Sequence, residues 1–78
     1  MKTTRYFDVT RQRADRQEIK DEWIAMAIRD PLRENVQADG RIRRWILVDD
    51  AGGRYLRVVL LPDGETVHNA FFDRRFTP

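Results

Sequence analysis

Seventy-eight residues form one domain with a thin core, since a chain of this size buries only ~60–65% of the surface its unfolded form exposes. Neither cysteine nor serine occurs, which excludes disulfides, thiolate metal sites and every Ser-His-Asp or Cys-His catalytic arrangement. The formal net charge of +2 and the pI near 9.5 permit an anionic partner without demanding one, and the basic set is mostly arginine, with only Lys2 and Lys20 beside it.

Met1 to Arg11 contain no apolar stretch of the kind a secretory signal carries, so the expected setting is the cytoplasm. Tyr6, Phe7 and Val9 suit either a short helix or an extended arm, and both alternatives stay open for residues 1–14. Asp15, followed three residues later by Glu18, has the form of a capping box, in which each side chain satisfies an unpaired amide of the first turn. A helix is therefore expected within 15–30, with its body at 16–29. Ile19, Trp23, Met26 and Ala27 recur at helical spacing, Ile24 and Ile28 widen the stripe, and Lys20, Asp21, Glu22 and Arg29 turn to water. Asp30-Pro31 ends it, because the residue before proline is pushed out of the α region. No apolar run approaches the ~20 residues that span a bilayer.

Beyond Asn35 the apolar period changes to two. Residues 41–49, 54–61 and 65–72 are rich in Ile, Val, Leu and aromatics and predict three strands, with a shorter one at 34–38 turned into the next by Asp39-Gly40. Residues 50–53 read as a loop and Asp63-Gly64 as a two-residue type I′ turn. These turns set the partners. Leu60 is expected opposite Val67, Val59 opposite His68 and Arg57 opposite Ala70. Across the other hairpin, Leu47 is expected opposite Leu56, Trp45 opposite Val58 and Arg44 opposite Val59. The expected fold is α+β, one main helix packed on a three- to four-stranded antiparallel meander over 34–74.

That register sends Leu47, Trp45, Leu56, Val58, Leu60, Val67 and Phe71 to one face. It sends Ile42, Ile46, Val48, Tyr55, Val59, Leu61 and Phe72 to the other, where Arg44, Arg57 and His68 converge. Both faces are then apolar, so the one without the helix needs a cover: the segment 5–14, the C-terminal tail or a second copy of the chain. A homodimer through Tyr55, Val59 and Phe72 is the expectation.

His68 is the only side chain whose ordinary pKa lies near neutrality, so any acid–base role at pH 7 falls to it; the alternative is a partly buried imidazole bonded to a neighbour. Arg41, Arg43 and Arg44, with Arg57 on the next strand, make the densest positive region, and Trp45 and Tyr55 lie among them. Guanidiniums beside rings suit phosphates and unstacked bases, though a solvated or salt-bridged surface would look the same. A lone histidine builds no HExxH or three-histidine zinc centre, and no GxGxxG or GxxxxGK[ST] run is present, so neither metal nor cofactor is expected.

The run Gln37-Ala38-Asp39-Gly40-Arg41-Ile42-Arg43-Arg44-Trp45 and the stretch from Tyr55 to Arg74, with Asp15-Arg16 and Trp23-Ile24, resemble a group of small bacterial proteins from which no activity carries over. More loosely, a proline-terminated helix followed by a glycine-containing meander is similar to the RelE/BrnT-type toxin superfamily. That resemblance implies messenger RNA cleavage without metal, with His68 as acid or base and Arg44 and Arg57 on the scissile phosphate. The chain departs from the usual toxin in lacking a lysine-rich surface and a tyrosine or strongly basic tail. The leading expectation is a non-catalytic, self-associating interaction module; the alternative is a RelE/BrnT-like RNA-binding or ribonuclease domain.

Overall fold

The computed structural model describes residues 1–78. Thr4 opens the chain's first helix, α1 (Arg5–Thr10), its hydroxyl accepting the Phe7 amide at 3.1 Å. Linked turns follow, with the amides of Arg16 and Gln17 both donating to the Arg13 carbonyl, before α2 (Asp21–Arg29). Strands β1 (Arg33–Val36), β2 (Ile42–Val48), β3 (Arg54–Leu60) and β4 (Val67–Phe72) form one antiparallel sheet in the order β1-β2-β3-β4. The α+β class and the four-stranded meander follow the pattern read from the sequence. No helix is long and apolar enough to cross a membrane.

The sheet carries two helices, and the expected single helix over 15–30 is corrected in two places. Residues 5–10 are helical, which decides the open choice at the N-terminus. The capping box does not form: Asp15 pairs with Arg13 and Arg16, while Glu18 reaches Arg54 at 2.6 Å. Helix α2 starts after extended Lys20, which provides no side-chain cap. The break is what lets α1 lie against β4 while α2 lies against β2 and β3, with buried Ile19 filling the corner between them. At the far end Asp30 closes α2 as the proline requires.

The helix-side core joins Ile24 and Ala27 to Ile46, Val48, Leu56, Val58, Leu60, Val67 and Ala70, with Phe7 from α1. Ile24, Leu56, Val58, Leu60 and Val67 have no appreciable exposure. Ahead of α1 the backbone continues beside β4, Val67 donating to the Lys2 carbonyl at 2.9 Å and accepting from the Thr4 amide at 3.0 Å. This parallel bridge occupies the start of an edge that would otherwise be open.

Two register details depart from expectation, and each reverses a face. Val48 pairs with Arg54, so the loop runs 49–53 and begins with a 3₁₀ turn at Asp49–Ala51. Trp45 consequently faces Arg57, and Arg44 faces Val58. One extra loop residue is enough, since side chains alternate with period two. In the next hairpin Leu60 faces Val67 as expected, but Val59 faces Asn69. His68 is the extra residue of a β-bulge, and the bulge lets odd-numbered Val67 enter the helix-side core although Asn69 and Phe71 lie on the other face. The turn itself is wider than type I′, which needs positive φ at both central residues: only Gly64 has it (φ 74°), and its amide donates to the Leu61 carbonyl.

Candidate functional site

With the register in place, one row of side chains crosses the helix-free face through all four strands. Arg33 lies opposite Trp45, Trp45 opposite Arg57 and Arg57 opposite Phe71. The Arg57 guanidinium sits 5.6 Å from the Trp45 ring centre and 4.9 Å from that of Phe71, and Arg16 extends the alternation 5.2 Å from Phe71 on its other flank. Cations and rings attract through the ring quadrupole, so the row is a chain of favourable contacts. The neighbouring row is Asn35, Arg43, Val59 and Asn69.

Residues 73–78 lie as a strap over one half of this face. Asp73 follows β4 directly, and a single carboxylate oxygen accepts from Trp45 Nε1 at 3.0 Å and from Arg57 Nε and Nη2 at 3.1 and 2.8 Å. Burial alone would push this carboxyl up, but the bonds from Trp45 and Arg57 hold it below the usual carboxylate range. Phe76 stacks on Trp45 with ring centres 4.8 Å apart and planes 17° apart, and tilts against Tyr55 at 5.0 Å. Arg33 covers Phe76 from outside and donates to the Thr77 carbonyl at 3.4 Å. The strap is the cover this half of the sheet required, so no second copy is needed there.

The other half is open. Tyr6, Gln37, Arg41, Arg57, His68 and Asn69 line a depression of about 480 Å³. His68 stacks on Tyr6 at 4.9 Å, and its Nδ1 lies 3.1 Å from the Thr4 hydroxyl. That hydroxyl also accepts from the Phe7 amide, so Thr4 ties the imidazole to the first turn of α1. Burial first, then the Arg41 charge, push the imidazole below its ordinary value of 6.5, with Asp39 opposing. Arg43 has no carboxylate partner; with its amide oriented to satisfy both groups, Gln37 accepts from Arg43 Nη2 at 2.6 Å and Nε at 3.0 Å. Arg41 lies 3.7 Å from Asp39 at the rim.

The expected convergence of Arg44, Arg57 and His68 does not occur. Arg57 and His68 share the open depression, whereas Arg44 lies on the helix side, donating to Glu34 at 2.7 Å and to the Ile28 carbonyl at 2.7 Å, where it satisfies an otherwise unpaired end of α2. The cause is the loop residue that shifted β2 against β3. The residues expected at a dimer interface are likewise separated: Tyr55 lies under Phe76, Val59 is buried in the neighbouring row, and Phe72 packs edge-on against Trp23 on the helix side. Arg41 lines the open depression, and Arg43 stands beside it in the neighbouring row, bonded to Gln37 of the lining. Sequence reasoning missed Asp73, Phe76, Tyr6, Gln37 and Arg33, and only Asp73-Arg74 after an aromatic strand end gave any local signal.

These features define a small α+β protein whose sheet is closed by helices on one side and presents a partly strapped, arginine-bearing surface on the other. No protein-family model, curated protein or solved structure matches the chain.

Proposed function

We propose that this chain is a non-catalytic interaction module that takes an anionic partner on the helix-free face of its sheet. One observation carries the reading. Of the four surface depressions of 480–600 Å³, the one at Arg41, Arg57 and His68 has no carboxylate in its lining, whereas the other three mix Asp or Glu with their cations. Asp73 engages Arg57 and Asp39 stands 3.7 Å from Arg41, so the excess positive charge here comes to Arg43, the one cation of the group without a carboxylate partner. A surface with one sign in excess favours a ligand of the other. A two-fold axis passing through Arg41 and Arg43 would set each against its equivalent, which disfavours that arrangement of two copies.

Cleavage has less support than binding. The ribonuclease reading needs two guanidiniums and the imidazole around one phosphate, and here Arg44 lies across the sheet while Asp73 engages Arg57. Titration of short single-stranded RNA and of inorganic polyphosphate, each at two salt concentrations, tests the proposal. Arg41→Ala and Arg43→Ala should each reduce the slope of log K against log salt by about one phosphate contact. If neither anion binds at low salt, the reading fails. Release of RNA fragments would end its non-catalytic part and return His68 to an acid–base role.

A further inference from the structure

The strap is made of the two chemical groups that a nucleotide would bring. Phe76 lays a flat ring on Trp45 in the parallel arrangement a base adopts on an indole, and the first strap residue sets a negative oxygen against Arg57 and Trp45 Nε1. Beyond Asp73 the hold is slight. Arg74, Arg75, Thr77 and Pro78 are exposed, the Arg75 and Phe76 amides bond to Asp73 itself at 3.1 and 3.4 Å, and the one hydrogen bond from the sheet is the long one from Arg33. Asp73 itself is fixed more firmly, its amide donating to the Tyr55 carbonyl at 2.9 Å. The strap is therefore a short turn anchored at Asp73, and the part that a ligand would have to displace is essentially one aromatic ring.

We infer that Trp45 is a base-stacking platform for single-stranded nucleic acid, occupied in the free protein by Phe76 as an internal stand-in. The inference rests on the anion-binding reading above and assigns its ligand. Arg43 lies two residues from Trp45 on the same face of β2 and Arg41 stands at the open depression, so a strand whose phosphates follow Arg41 and Arg43 runs directly toward the strap. A base arriving there takes the place of the Phe76 ring, one stacked aromatic exchanged for another. Arg33, which now covers Phe76, becomes free for the next phosphate. Asp73 stays with Arg57 and keeps the indole in place.

The prediction is a competition between the strap and the ligand. Phe76→Ala should tighten binding of a short single-stranded RNA about tenfold and leave binding of base-free inorganic polyphosphate within about twofold. Trp45→Leu in the Phe76→Ala background should abolish the gain. In the unaltered protein, saturating RNA should remove the cross-ring nuclear Overhauser contacts between Phe76 and Trp45, a measurement that does not depend on any variant folding well. Persistence of those contacts at saturation, or unchanged RNA affinity in folded Phe76→Ala protein, overturns the inference while polyphosphate binding preserves the anionic-partner reading. Loss of polyphosphate binding on Arg41→Ala with Arg43→Ala, with RNA affinity unaffected, overturns the path assigned to the strand. Adenosine monophosphate binding as tightly as the oligomer overturns the assignment to a strand.

Discussion

The two faces of this sheet are held by different physics. On the helix side Ile24, Ala27, Leu56, Val58, Leu60 and Val67 exclude water by apolar contact without directional demands. On the other side Trp45 and Arg57 are placed by an alternation of charge and ring anchored on one carboxylate oxygen of Asp73. Contact of the first kind is generic and strong. That of the second kind depends on single atoms, and half of its surface remains accessible to a partner.

The sharpest way to test the contrast is to truncate one residue on each side. Leu56→Ala should cost about 2–5 kcal/mol, as removal of a fully buried leucine generally does, measured by urea unfolding at constant m-value. Asp73→Ala should cost about 1–3 kcal/mol, because it leaves the Trp45 N–H and the Arg57 guanidinium without their acceptor. The Trp45 indole resonance should move with it, whereas Leu56→Ala should leave that local environment largely intact. Equal costs for the two, with an unmoved indole, would remove the distinction.

Acid should also act from one side. The unfolded chain takes up a proton at histidine near pH 6.5, while the folded chain, with His68 pushed lower, resists until the pH is further reduced. Stability should therefore fall as pH drops through 6.5, and show no contribution from this residue above neutrality. His68→Gln should flatten that part of a melting-temperature profile between pH 7 and about 5.5. The smallest effect is expected for Arg41→Ala, within about 0.5 kcal/mol in stability, since an exposed pair with Asp39 adds little. A larger loss would make Arg41 part of the scaffold and not of the ligand surface.

The strands were legible because their residues alternate, and so were the α2 stop at Asp30-Pro31 and the pairing of Leu60 with Val67. The faces were not. Composition does not distinguish a loop over 50–53 from one over 49–53, and nothing local to Thr66-Val67-His68-Asn69 marks a bulge, yet each moves side chains to the opposite side. The start of α2 escaped detection because Glu18 had a distant partner, Arg54, in competition with the local cap. The candidate site suffered most. Arg41 and Arg43 were found by charge alone, but Arg44 required the correct register, and Phe76 and Asp73 matter only through contacts with β2 and β3.

The bridge between the N-terminal residues and β4 has a consequence for assembly. With Val67 already bonded to Lys2 and Thr4, and the Ala70 carbonyl accepting from Arg16 at 3.3 Å, a strand approaching β4 meets no continuous row of free groups. The other margin, β1, is only Arg33–Val36, exposed throughout and carrying Arg33 and Glu34. Short charged margins resist strand addition, and here the sheet offers just one of them. Two molecules that met along β1 would each have used their only free margin. Growth by strand addition would stop at a pair, and the fold has no route from edge pairing to a fibre.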